Sequence, residues 1–257
     1  MRYLLLLLAL AITTGPVHAE PSVFVFNQSK HTAVINQNTD QVRPIASITK
    51  LMTALVALES GLSLESKAQL INRWSTVLPK RSYTRLELLT AMLVRSDNSA
   101  AESLAQDYPG GRTAFIGAMN AKATQLGMTH THFDDASGLS KLNVSTARDL
   151  INLLEQVHKI AIVKDITTRI NSSVTWENKK KLTELKFDNT NKPVLTEFKN
   201  VQISKTGLTA PAGWCVSMVV EQAGQTHYIV VLGSRSKQAR LDKVKDIMYN
   251  HIMGKLN

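Results

Sequence analysis

Ser47-Ile48-Thr49-Lys50-Leu51-Met52-Thr53-Ala54-Leu55-Val56-Ala57-Leu58-Glu59-Ser60-Gly61 is the stretch around which the fold organises. Leu51, Leu55 and Leu58 fall at i, i+4 and i+7, one face of a helix, and Gly61 supplies the stop. Upstream, Val23-Phe24-Val25-Phe26 and Thr32-Ala33-Val34-Ile35 are rich in β-branched and aromatic residues. They flank a polar segment, residues 27–31, which is the pattern of a hairpin. Downstream, Thr84-x-x-Glu87 is a capping-box signal for a helix carrying Leu88, Leu89, Met92 and Leu93. The polar break Arg95-Ser96-Asp97-Asn98 follows. Phe115, Met119, Ala123 and Leu126 mark another helix closed by Gly127, and Thr146 with Asp149 opens a further one.

From about Ile166 the character becomes β. Val174-Thr175-Trp176, Lys186-Phe187, Val201-Gln202-Ile203 and Cys215–Val220 are short segments between polar loops. Tyr228–Leu232 is wholly apolar, as suits a strand buried on both faces. Leu241, Val244, Met248 and Ile252 form one stripe of a closing helix. Strands at both ends around helices in the middle predict an α+β fold in which one sheet uses both ends of the chain.

The 257 residues are 44% hydrophobic and 19% charged, which excludes disordered, collagen-like and coiled-coil classes. At ~150 residues per domain this length fits one large domain or two small ones, and no linker divides it. A single cysteine, Cys215, excludes an intramolecular disulfide and a cysteine-rich metal site. With 30 Lys+Arg against 20 Asp+Glu the net charge is +10, which suits a polyanionic partner. The N-terminus narrows the choice. Residues 1–19 read as a signal peptide: Arg2, the nine-residue apolar run Leu4–Ile12, then Val17-His18-Ala19 before a cleavage site. Nine apolar residues are too few for a transmembrane anchor, which needs ~20. Export argues against nucleic acid and for an anionic extracytoplasmic polymer such as the cell wall. The expected organisation is a signal peptide at 1–19 and one catalytic domain at 20–257, with no C-terminal anchor domain.

Ser47 and Lys50 are three residues apart, about one helical turn, so they share a face. A serine hydroxyl is a weak nucleophile until a base takes its proton, and a neutral lysine amine can be that base. Taken alone this pair is unspecific, and Ser234-Arg235-Ser236-Lys237 is a second copy, read as a solvated loop. Two further triplets single out the first copy. Ser96-Asp97-Asn98 presents a hydroxyl and an amide in a break between helices, though such a triplet also serves as a helix cap. Lys205-Thr206-Gly207 follows a strand. There a cation and a hydroxyl can hold a carboxylate, and glycine lets a substrate lie close; the plain alternative is a strand-end turn.

In this order, S-x-x-K, S-x-N and K-T-G resemble the signature of the serine penicillin-recognising enzymes. The resemblance to the low-molecular-mass D-alanyl-D-alanine peptidases covers nearly all of residues 22–250. It includes Ser47–Ala54, Ser137-Gly138-Leu139, residues 145–150, Asn189-Thr190-Asn191 and the run from Lys205 to Cys215. It implies the transpeptidase/β-lactamase-like fold: an antiparallel sheet flanked by helices, plus a mostly helical central subdomain. It also implies roles. Ser47 is the nucleophile, Lys50 its base and Ser96 a proton relay. Asn98 binds the substrate backbone. The N–H groups of Ser47 and Leu208 form an oxyanion hole, while Lys205, Thr206 and Thr209 hold a carboxylate beside Gly207. An ordinary lysine pKa of ~10.4 leaves about one in 2,500 neutral at pH 7, so Lys50 needs a pKa lowered by burial, a helix N-terminus and Lys205. No cofactor and no metal are expected. The partners implied are cross-linked peptidoglycan peptides and β-lactams, in the periplasm.

Within the family, the short chain and segments such as Pro109-Gly110-Gly111 and residues 115–128 resemble the D,D-endopeptidase type. Asp97 stands where the carboxypeptidases usually place glycine. A carboxypeptidase acting on pentapeptide stems is the alternative. A serine β-lactamase is a further one, although no glutamate here has the E-x-x-x-N context of class A enzymes. A wall-binding sensor that kept the pocket is the non-enzymatic rival. His130-Thr131-His132-Phe133-Asp134-Asp135 approximates a zinc run and is read as an exposed loop, Cys215 as buried packing, and Lys179-Lys180-Lys181 as a solvated hairpin tip.

Overall fold

The computed structural model describes residues 20–71, 77–178 and 181–254. The signal peptide read at 1–19 and two of the lysines in the 179–181 run lie outside them. In chain order the elements begin with β1 (Ser22–Asn27), β2 (Thr32–Gln37), β3 (Arg43–Pro44), a 3₁₀ turn (Ala46–Thr49) and α1 (Lys50–Glu59). Next come β4 (Lys67–Gln69), β5 (Ser82–Thr84), α2 (Arg85–Thr90), α3 (Asn98–Gln106), α4 (Gly111–Gln125), β6 (Val144–Ser145), α5 (Ala147–His158) and α6 (Ala161–Thr168). The chain continues through β7 (Asn171–Asn178), β8 (Lys181–Asp188), α7 (Lys192–Glu197), β9 (Val201–Thr209), β10 (Gly213–Gln222), β11 (Gln225–Ser234) and α8 (Lys237–Asp246).

The main sheet is antiparallel in the order β2-β1-β11-β10-β9, so the first strands pair with the last and both ends of the chain share one sheet, as predicted. Its alternating side chains feed two cores. Tyr228, Val230 and Leu232 of β11 face the helical body, while Ile229 and Val231 face Val244, Ile247 and Met248 of the closing helix. Burial on both faces explains why the 228–232 run is unbroken by polar residues. Helix α1 is buried from Lys50 to Val56 and is apolar almost all round, which makes it the central post of the helical body. The Thr84–Glu87 capping box forms in full, and Thr146 accepts from Asp149 N as a helix cap.

Two expectations need correction. The C-terminal third is not wholly β. Ile166 belongs to α6, with Val163 and Thr167 also buried, and α7 carries Pro193 in its first turn, where a missing N–H costs nothing. The 130–135 segment is an exposed loop only in part: His130, His132 and Asp134 are exposed, whereas Phe133 is fully buried and Asp135 is 7% exposed. The Asp135 carboxylate accepts from the N–H groups of Ser137, Gly138 and Ser140, so its charge is spent on building a tight turn.

That turn presses on the start of α1. Gly138 has φ +83°, and a methyl group there would lie 2.0 Å from the Ala46 carbonyl oxygen. Gly61 has φ +70° with open space around it. Gly138→Ala should therefore cost about 3 kcal/mol, from strain plus overlap, and Gly61→Ala about 1 kcal/mol from backbone strain alone. Urea unfolding of both variants checks the difference, and equal losses would contradict it.

Candidate active site

Ser47 lies in the 3₁₀ turn that leads into α1, and Lys50 is the first residue of that helix. Ser47 is partly exposed, whereas Lys50 has no exposed surface. Lys50 Nζ sits 2.8 Å from Ser47 Oγ, 2.7 Å from Asn98 Oδ1 and 2.5 Å from the Ser137 carbonyl oxygen. The amine is thus held by three oxygens and no carboxylate. Burial pushes its pKa down to about 7, against the opposing pull of the more distant Asp135, Asp97 and Glu102 carboxylates.

The break between α2 and α3 delivers the second pair. Ala91–Arg95 continues α2 as a wide turn, Ser96 takes a left-handed conformation (φ 65°), and Asp97 caps α3 by accepting from Ala100 N. The cap reading of this triplet is correct for Asp97, yet the same geometry turns Ser96 and Asn98 inward. Ser96 Oγ accepts from Lys205 Nζ at 2.9 Å, and Lys205 also donates to the Thr206 carbonyl. Lys205 is 1% exposed. Burial first, then the charges of Lys50 and Arg240, press its pKa well below the ordinary lysine value.

Strand β9 is the edge of the main sheet, and the open edge lies against the turn carrying Ser47. Gly207 permits this approach: a methyl there would lie 3.1 Å from Ser47 N and 3.0 Å from the Ile45 carbonyl. Leu208 follows, 48% exposed at the mouth of the site. Thr206 Oγ1 hydrogen-bonds Thr190 Oγ1 at 2.7 Å. Thr209 is placed differently. Its hydroxyl accepts from Ala212 N in the β9–β10 turn, beyond the Lys205 cluster. The structure therefore brings Ser47, Lys50, Ser96, Asn98, Lys205, Thr206, Gly207 and Leu208 together and leaves Thr209 at the rim.

The second S-x-x-K copy is no solvated loop. Ser234 ends β11 and is buried, and Lys237 opens α8 with its side chain exposed, so the two do not form a comparable pair. Cys215 is fully buried, with its thiol pushed up to about 11 by burial.

Sequence reasoning missed Arg240. It is 1% exposed, makes no ion pair among the described residues, and its Nε and Nη2 have no hydrogen-bond partner there. Its charge acts on Lys205. The signal was present: Arg240, Val244 and Ile247 fall at i, i+4 and i+7, so a charged residue occupies a core-facing position of the closing helix.

A buried lysine against a serine, a second lysine–serine pair facing it, and an edge strand close to the first serine's N–H have the make-up of a serine acyl-transfer site. Residues 11–236 match the family model described as D-alanyl-D-alanine carboxypeptidase, and the chain belongs to that family. It is 39% identical over 218 residues to a D-alanyl-D-alanine endopeptidase of Escherichia coli, covering 81% of this chain and 70% of the relative. Among solved structures it resembles the Streptomyces K15 DD-transpeptidase, with a TM-score of 0.82, 28% identity and coverage of 88% and 94%. It also resembles penicillin-binding protein D2 of Listeria monocytogenes in its ampicillin-bound form, with a TM-score of 0.77, 31% identity and coverage of 88% and 94%.

With a pKa of about 7, Lys50 is expected to set the pH dependence of acylation. Below that value Lys50 holds its proton and cannot accept one from Ser47. Acylation by penicillin should fall about tenfold per pH unit below 7 and level off above it. A stopped-flow pH series checks this, and a rate still climbing steeply between pH 8 and 10 would show an ordinary lysine.

Proposed function

We propose that the protein is a serine D,D-endopeptidase that hydrolyses D-alanyl cross-links of peptidoglycan through a Ser47 acyl-enzyme, and that penicillin acylates the same serine. The observation that carries this reading is the 2.8 Å contact between Ser47 Oγ and a fully buried Lys50 amine. Neutral Lys50 takes the Ser47 proton as Oγ attacks the D-alanine carbonyl. The N–H groups of Ser47 and Leu208 receive the developing oxyanion. Asn98 Oδ1 is committed to Lys50, which leaves its NH₂ group for a substrate carbonyl. Ser96, bonded to Lys205, passes a proton to the leaving amine. Lys205, Thr206 and the buried guanidinium of Arg240, whose Nε and Nη2 have no hydrogen-bond partner among the described residues, hold the carboxylate of the leaving residue. The proton that Lys50 took from Ser47 replaces the one Ser96 has given away, so Lys50 is neutral again when water enters along the path of the departed amine, and it serves a second time as base.

A leaving-residue carboxylate is common to a cross-link and to a free pentapeptide, so carboxypeptidase action is the second reading. The E. coli endopeptidase likeness favours the first. The apolar leader at residues 4–12 supports export to the periplasm. Among the described residues no helix is long and apolar enough to cross a membrane.

Labelled penicillin should attach to the native protein and to Ser234→Ala but not to Ser47→Ala. Purified cross-linked muropeptide dimer should yield monomer faster than pentapeptide releases terminal D-alanine, by mass analysis of products. Labelling of Ser47→Ala would overturn the nucleophile, and faster D-alanine release would overturn the endopeptidase reading. Lys205→Ala should slow both reactions by roughly ten- to hundredfold, since each substrate loses the same charge-assisted contact.

A further inference from the structure

A cleft of about 750 Å³ opens where β9 ends. Its walls are the β9–β10 turn from Leu208 to Trp214, the end of β11, the first turns of α8, and Arg43 of β3. Three cations line it, Arg43, Arg235 and Lys243, against one acidic residue, Glu20. Among the described residues that line the cleft, no other acidic side chain offsets this excess. Arg43 is fixed by neutral oxygens only: Ser22 Oγ at 3.0 Å, Gln41 Oε1 at 2.6 Å and the Glu20 carbonyl. Its Nη1 rests on the bare backbone of Gly233, where a methyl group would lie 2.6 Å away. Arg235 is exposed and makes no ion pair among the described residues, and Lys243 reaches only the partly exposed Asp246 at 3.4 Å. Half-exposed Leu208 and the more buried Trp214 add an apolar wall.

We infer that this cleft is a subsite for the peptide stem on the acyl-donor side of the scissile bond, and that Arg43, Arg235 and Lys243 recognise its carboxylates. The direction rests on the function proposed above. Lys205 and Thr206 hold the leaving residue and Leu208 N–H meets the scissile carbonyl. The donor stem therefore continues past Thr209, where the cleft begins. At ~3.4 Å per extended residue, the first two residues upstream of the D-alanine reach it. In a wall stem these are a diamino diacid and a γ-linked D-glutamate, both of which bear free carboxylates. A simple penicillin carries no equivalent groups on its acyl side.

Calorimetry with the Ser47→Ala protein tests this without turnover. The probes are two tetrapeptide stems ending in D-alanine, one with both stem carboxylates free and one with both amidated. Amidation should weaken binding about tenfold at low salt, and the ratio should shrink between 50 and 500 mM NaCl as charges are screened. Adding Arg235→Gln and Lys243→Gln should bring the two affinities together. Equal affinities in the Ser47→Ala protein, or an undiminished ratio in the triple variant, would overturn the subsite. The donor stem is shared by cross-linked and free substrates. A failed cross-link preference would sink the endopeptidase reading and leave this measurement unaffected.

Discussion

The structure depends on one buried amine. Lys50 sits without exposed surface at the head of the central helix, and its three contacts are to a hydroxyl, an amide and a carbonyl. Neutral oxygens can hold an amine but cannot compensate its charge, so burial depresses its pKa. Folding at pH 7 must strip a proton that the unfolded lysine keeps, at a cost of about 4 kcal/mol. By linkage, this cost shrinks as pH rises from about 7 toward the unfolded value, so stability from this group increases over that window. The fold absorbs the cost through the packing of α1, buried from Lys50 to Val56.

The surrounding elements keep that amine against its serine. Asn143 ties the turn of residues 134–138 to α1 by donating to Thr49 Oγ1 and accepting from the N–H groups of Asp134 and Asp135. The turn in turn supplies the Ser137 carbonyl to Lys50 and presses Gly138 on Ala46. From the other side Gly207 brings the edge strand to Ser47 N. Two glycines thus form the jaws that hold the nucleophile, one by conformation and closeness, the other by closeness alone. A side chain at Gly138 would overlap the Ala46 carbonyl, and one at Gly207 would fit only if its neighbours shifted, which couples stability of the loop to geometry of the site.

Much of this was legible in the chain. Two periods, two in the terminal strands and near four in the helices, identify a sheet built from both ends, because each element buries an apolar face. The Ser47–Lys50 pair was legible because three residues make one turn of helix. Other features left no periodic trace. Helix α6 went unread because Ile160, Val163 and Ile166 were followed at once by strand residues. Asp135 looked like part of an exposed acidic loop, since its partners are backbone N–H groups that no side-chain pattern reports. Thr209 was grouped with Lys205 by proximity in sequence, but the strand ends there and its hydroxyl turns to Ala212 N. Arg240 shows the reverse. A charge on an apolar stripe was visible, and only the tertiary structure, in which α8 packs on β10 and β11, shows that this charge acts on Lys205.

The central claim is that Lys50 is a neutral base near physiological pH because it is buried among neutral oxygens. Nuclear magnetic resonance titration of lysine labelled at its terminal carbon and nitrogen, assigned with Lys50→Met, reads that proton directly. The account predicts a midpoint near 7 for Lys50, set by burial against the weaker opposing pull of Asp135, Asp97 and Glu102. A midpoint near 10 would contradict it.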